Sequence, residues 1–315
     1  MSTCDDPPTG RRASVADEYC PGMTTAVSKP AVVAGVDGSE SALRGAQWAA
    51  EFAAAYALPL TLLHAIPTLE WHFLGDDPVM EPESGGNGDE VLAAAETAVR
   101  VKHPDLSIRT AAVRGAVRTV LADASHDARL VVVGTGAADH RALGGHAVGI
   151  VHRAQCPVVV WRPPVAKRTG KPLPVVVGVD ESDESARALA EAFDVARMLH
   201  APLTVVHMWE IGAAVGMGDL GGQGPMDWTL LELLQSRQRQ HLEELVQPLA
   251  RMNPNAHVTE VFKDISPAKG LTNLSREAQL VVVGSHGRGR LAGAILGSVS
   301  QNVIHHAECP VMLVR

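Results

Sequence analysis

The sequence is poor in the features that define several whole classes of protein. Its four cysteines in 315 residues are too few for a disulfide framework and include no Cys-x-x-Cys pair, so a reducing compartment and a cytoplasmic location are expected. Lys and Arg number 27 against 35 Asp and Glu, a formal net charge of −8 at pH 7. Nonspecific nucleic-acid binding needs many cationic contacts to phosphates, and this balance argues against a nucleic-acid partner. No apolar run reaches the roughly 18 residues that cross a bilayer, so no membrane partner is expected. Arg11-Arg12 lacks a following apolar segment, which argues against export. Gly-x4-Gly-Lys-[Ser/Thr], Gly-x-Ser-x-Gly and His-Glu-x-x-His are all missing. Their absence removes the lysine-bearing phosphate cradle and two common hydrolase arrangements.

What is present is a duplication. VVAGVDGSESALRGAQWA at residue 32 returns as VVVGVDESDESARALAEA at 175, and LPLTLLHA at 58 returns as APLTVVHM at 201. ARLVVVGTG returns as AQLVVVGSH, and QCPVVVWR as ECPVMLVR. Residues 1–29 are rich in Pro, Asp, Ser and Thr and have no period; they read as a disordered tail, with Met1 or Met23 as the translation start. The expected units are a first domain at 30–162, a proline-rich basic linker at 163–173 and a second domain at 174–315. Each is long enough for its own core.

Inside each copy, short β-branched runs (VVAGV, LTLLH, LVVVG, PVVVW) alternate with helical periods such as Leu43, Ala46, Ala50 and Ala53, or Leu189, Phe193 and Ala196. Near-continuous apolar strands between amphipathic helices imply an α/β doubly wound fold, a parallel sheet covered on both faces. Ligands of such sheets sit beyond the strand carboxyl ends, where strand order reverses. Two stretches after the second strand of each copy, 75–89 and 212–227, read as mobile loops, either lids or plain exposed connections. The helix following the second is longer than its counterpart in the first copy.

Directly after LVVV, residues 284–300 read GSHGRGRLAGAILGSVS. Glycines at a strand-to-helix turn serve either conformation alone or the close approach of backbone N–H groups to an anion. Together, GVDGS or GVDES after the first strand, a histidine ending the second, and Gly-x2-Gly-x9-Gly-Ser before a closing Cys-Pro-Val strand resemble the universal stress protein family in tandem form. That resemblance implies two Rossmann-like domains with five parallel strands in the order 3-2-1-4-5, forming a pseudo-dimer. It also implies ATP bound at the strand ends and a regulatory role in stress or growth arrest; a Mg2+ ion could bridge the phosphates, although the sequence shows no dedicated metal cage.

Carried over residue by residue, the resemblance places Asp180 near ribose and adenine and the Met208 backbone beside adenine. Gly284, Gly287, Gly297 and Ser298 become the phosphate loop, continued by Val299 and Ser300, with His286, Arg288 and Arg290 adding positive charge. Each has a plainer reading: a helix-start carboxylate for Asp180, a core residue for Met208, a solvated loop face for the arginines. His64 and His207 read as hydrogen-bonded structural residues. The first copy's corresponding set is Asp37, Ala65, Gly134, Gly144 and Gly145. There the loop is three residues shorter, Gly144-Gly145 replaces Gly297-Ser298 and Ala147 replaces Ser300. The expectation is a strong second site and a degraded first one; the competing view is that backbone donors alone suffice in the first. PVVVW and PVMLV are apolar edge candidates that can pair within the chain, between chains, or both; a homodimer through these closing strands is the working expectation, together with an unidentified regulatory protein partner. A weak ATPase and a ligand-independent dimerisation scaffold are the alternative functions.

Overall fold

The apolar runs of both copies become strands of one sheet. The computed structural model describes residues 30–67, 72–74, 77–79, 88–135, 145–166, 170, 172–209, 228–287 and 296–315. The first half contains β1 (Ala31–Gly35), α1 (Glu40–Ala55), β2 (Leu60–Ile66), a hairpin of β3 (His72–Leu74) and β4 (Asp77–Val79), and α2 (Gly88–Arg100). It continues through β5 (Ile108–Arg114), α3 (Val117–Ala124), β6 (Ala128–Gly134), α4 (Gly145–Arg153) and β7 (Val158–Trp161). The second half repeats the pattern with β8 (Val175–Val179), α5 (Asp183–Met198), β9 (Leu203–Met208), α6 (Trp228–Met252) and β10 (Val258–Lys263). It closes with α7 (Pro267–Leu274), β11 (Leu280–Gly284), α8 (Ser298–His306) and β12 (Val311–Val314).

The sheet runs β10-β9-β8-β11-β12-β7-β6-β1-β2-β5. Each half therefore has the order 3-2-1-4-5, and every pair of this ten-stranded sheet within a half is parallel. The halves meet at one antiparallel junction, where Val311, Met312 and Leu313 of β12 stand opposite Val160, Val159 and Val158 of β7. This corrects the expected homodimer through the closing strands. The two apolar edges satisfy each other within one chain, leaving no free ladder there for a second copy. The outer strands of the sheet are instead β5 and β10, which interleave exposed and half-buried residues.

The local choices repeat as the sequence does. Ser39 caps α1 by accepting from Ala42 N–H at 3.2 Å, and Ser182 caps α5 by accepting from Ser185 N–H at 3.2 Å. Both helices then turn through a left-handed residue, Ala57 and His200, each at φ 49°. Such a conformation costs a non-glycine residue about 1–2 kcal/mol; here it lets Leu58 and Ala201 bond back to Ala53 and Ala196 at 2.9 Å.

One face of the sheet carries α1, α2, α5 and α6, packed through residues such as Phe52, Leu92, Leu189 and Leu242. The other carries α3, α4, α7 and α8, through Leu121, Ile150, Leu271 and Ile304. Both cores run across the β12–β7 junction, so the halves share them. An ion pair also crosses between halves: Arg129 on β6 donates to both carboxylate oxygens of Glu191 on α5, at 2.7 and 2.8 Å. α6 has 25 residues against 13 in α2, the expected asymmetry. The stretch 75–89 includes β4 and the start of α2, so it is not wholly a loop. Residues 1–29 and 212–227, with Gly144, Arg288 and Arg290, lie outside the described residues. Among those described, no helix is long and apolar enough to cross a membrane.

Candidate functional site

In the second half the chain leaves β8 toward one face of the sheet and β11 toward the other, opening a crevice beyond their carboxyl ends. A cavity of about 270 Å³ lies there. Asp180 and Met208 border it from the ends of β8 and β9, Gly284, His286 and Gly287 from the turn after β11, and Gly297 to Ser300 from the start of α8. All nine described positions expected in the second site are thus in one place.

The glycines there are bare for different reasons. A Cβ on Gly284 would stand 3.0 Å from Glu184 Cβ and 3.2 Å from Glu184 C, so this glycine lets the strand end pack against the first turn of α5. A Cβ on Gly287 would stand 2.6 Å from Asp180 Oδ2, so this one lets the turn lie on the carboxylate. Gly297 has neither need. Its φ of −67° and ψ of 151° suit any residue, and among the described residues an added Cβ would find nothing nearer than 3.5 Å. It is the N-cap of α8 and offers no side-chain cap bond. Ser298, Val299 and Ser300 line the cavity, and the N–H groups of this first turn have no capping oxygen from Gly297, a setting that favours an anion.

Asp180 is a helix-start carboxylate that also borders the cavity. Oδ1 accepts from Ser182 N–H at 2.9 Å and from Ser182 Oγ at 2.5 Å, fixing the start of α5. Its Oδ2 lies against Gly287 at the cavity. Ser185 completes this wall, accepting from Asp180 N–H at 2.8 Å and donating to Asp180 O at 3.0 Å. Ser300 donates its hydroxyl proton to Gly284 O at 2.6 Å, tying the front of α8 to β11. His286 Nδ1 is 3.0 Å from Ser285 Oγ. Ser185, Pro267 and Leu271 also line the cavity and escaped the sequence reading; the only signal for Ser185 was its place two residues beyond the α5 N-terminus.

The strand-end histidines face inward. His207 Nδ1 lies 3.0 Å from Val179 O and His64 Nδ1 2.8 Å from Val36 O. A carbonyl can only accept, so each ring carries a proton on Nδ1 and braces the end of the neighbouring strand.

The first half holds a smaller cavity, about 130 Å³, bordered by Asp37, Ala65 and Gly134. Asp37 Oδ1 accepts from Ser39 N–H at 2.9 Å, repeating the turn at Asp180. Ala42 stands where Ser185 stands, and Ala147 where Ser300 stands; both border the cavity and offer no hydroxyl. A Cβ on Gly134 would lie 2.6 Å from Ala42 N, so close packing alone accounts for that glycine. Gly145 opens α4. Among the described residues Thr135 Oγ1 is buried without a hydrogen-bond partner, whereas its counterpart Ser285 has His286 beside it; the sequence puts Gly136 at that place.

Two doubly wound units in tandem, with a crevice at the switch point of the second, define the class. The particular family follows from comparison with known proteins: the chain belongs to the universal stress protein family, whose model matches residues 30–162 and 173–315. A universal stress protein of Mycobacterium tuberculosis is 33% identical over 303 residues, covering 93% of this chain and 99% of the relative. One from Mycolicibacterium smegmatis is 32% identical over 304 residues, with 93% and 99% covered. The crystal structure of a universal stress protein from Archaeoglobus fulgidus aligns with a TM-score of 0.62 at 19% identity, covering 91% of this chain and 97% of that one, and so shares the fold.

Proposed function

We propose that the second half binds ATP in the larger cavity and that occupancy biases a surface through which the protein regulates a stress or growth-arrest response. The observation that carries the reading is Gly297. A helix start facing a cavity has a glycine cap that neither its conformation nor packing against the described residues requires. The phosphates fit the first-turn N–H groups of α8, with Gly287 and His286 alongside; the ribose and adenine fit the wall made by Asp180, Ser185 and Met208. Arg288 and Arg290 follow directly in sequence and add the countercharge. Among the described residues no cluster of His, Cys, Asp or Glu is placed to hold a metal. A Mg2+ ion would therefore be carried by phosphate and water oxygens.

The first cavity is the weaker partner, with fewer hydroxyls and about half the volume. Family membership supports the regulatory role and a cytoplasmic setting. The test is to denature the purified protein, identify any released nucleotide by chromatography, and measure ATP uptake by the emptied chain in equilibrium dialysis. Adenine nucleotide recovered, or ATP taken up and lost in Gly297→Val, supports the reading. A chain that neither carries nor takes up nucleotide overturns it in favour of a ligand-independent scaffold.

A further inference from the structure

The repeat ends in an arginine in both copies, Arg162 after β7 and Arg315 after β12. Neither reaches into its own half. Arg162 is 5% exposed, and it donates through Nη1 to Ala307 O at 2.6 Å and through Nη2 to Ile304 O at 2.5 Å. Those carbonyls belong to the last turn of α8 and the residue after it. Arg315 does the converse, donating through Nη2 to Val151 O at 2.7 Å and His152 O at 2.6 Å, in the last turn of α4.

The exchange follows from the antiparallel junction. With Leu313 opposite Val158, and Val311 opposite Val160, each closing strand ends beside the start of the other. The start of each strand is where its own half's preceding helix has just finished. The final carbonyls of a helix have no partner within it, and a guanidinium satisfies several at once while complementing the negative end of the helix dipole. Burying such a charge is costly unless it is hydrogen-bonded, so these contacts are what hold Arg162 in the interior.

We infer that Arg162 and Arg315 are positioning residues, each fixing the rear of the anion-facing helix in the opposite half, so that the second pocket is shaped partly by the first half of the chain. α8 has nine residues. Its front is tied to β11 by Ser300 and its rear to the first half by Arg162. Releasing the rear lets the helix tilt, and the first-turn N–H groups move with it. The affinity part of this inference rests on ATP binding at the second pocket; the positioning part does not.

The test uses the full chain and its variants Arg162→Gln, Arg162→Lys and Arg315→Gln, each studied by hydrogen exchange without nucleotide and by calorimetric titration with ATP and magnesium. Arg162→Gln is expected to lose amide protection at the end of α8 while α4 keeps its own; Arg315→Gln is expected to do the reverse. In titration, Arg162→Gln should weaken the second site about fivefold, Arg162→Lys should recover part of that, and Arg315→Gln should stay within about twofold of the parent. Unchanged protection in both glutamine variants, or equal loss in both helices from either, would overturn the inference. If the parent itself takes up no ATP, the functional reading falls, and the helix-specific exchange pattern alone decides the inference.

Discussion

The two cavities of this chain descend from one sequence pattern and have diverged in what surrounds the same backbone turn. Around the larger one stand Asp180, Ser185, His286, Ser298 and Ser300; around the smaller one, the described polar side chains are Asp37 and Thr135. The comparison also separates glycines that look alike in sequence. Gly134 is bare because a neighbouring helix start leaves no room for a side chain and Gly284 because one would crowd the start of α5, whereas at Gly297 a Cβ would meet none of the described residues nearer than 3.5 Å. A glycine with space around it at the mouth of a helix is the better mark of a binding surface.

The sharpest way to break this contrast is Gly297→Val. It should lower ATP affinity at the second site by about 100-fold or more through blocked access to the α8 N-terminus, with the thermal midpoint nearly unchanged. Gly134→Ala should behave in the opposite manner. Its Cβ would press on the α1 backbone, and overpacking of this kind costs roughly 1–3 kcal/mol of stability by urea unfolding, against less than about 0.5 kcal/mol for Gly297→Ala.

Asp180→Asn is expected to weaken ATP binding about tenfold by removing a charged acceptor, measured by titration. Stability should hold, because an amide oxygen still accepts from Ser182. Asp37→Asn should leave the second site untouched. In the other direction, Ala42→Ser combined with Ala147→Ser restores the two missing hydroxyls. It should raise first-site affinity roughly threefold, read from competition dialysis with the second site blocked.

The smallest difference is expected where the halves have not diverged. Burial pushes both Cys156 and Cys309 up to about 12 from an ordinary thiol value of 9.0. The unfolded chain releases these protons above about pH 9 while the native chain keeps them, so stability falls as pH rises from about 9 to 12. Cys156→Ala and Cys309→Ala should each flatten that fall by a similar amount in urea midpoints taken at about pH 8 and about pH 10.5.

Much of this architecture was legible in the sequence. Continuous valine runs marked strands buried on both faces, whereas the capping of α1 by Ser39 and of α5 by Ser182 emerged only with the fold. The resemblance supplied the strand order. What pattern alone left open was which edge met which: PVVVW and PVMLV were visible as apolar edges, but their mutual pairing depends on how two folded halves approach. The same limit hid Leu271, a floor residue brought to the cavity by α7, and the crossed arginines, whose partners lie 142 to 164 positions away. Gly134 shows the converse: its motif position suggested phosphate, while its contacts explain it by packing.

The measurement closest to the centre of this account is the stoichiometry of ATP and magnesium binding to the intact chain by calorimetric titration, parent beside Gly297→Val. One tight site per chain, lost in the variant, is the predicted result. Two comparable sites, or one tight site that survives in Gly297→Val, would contradict the asymmetry on which the account rests.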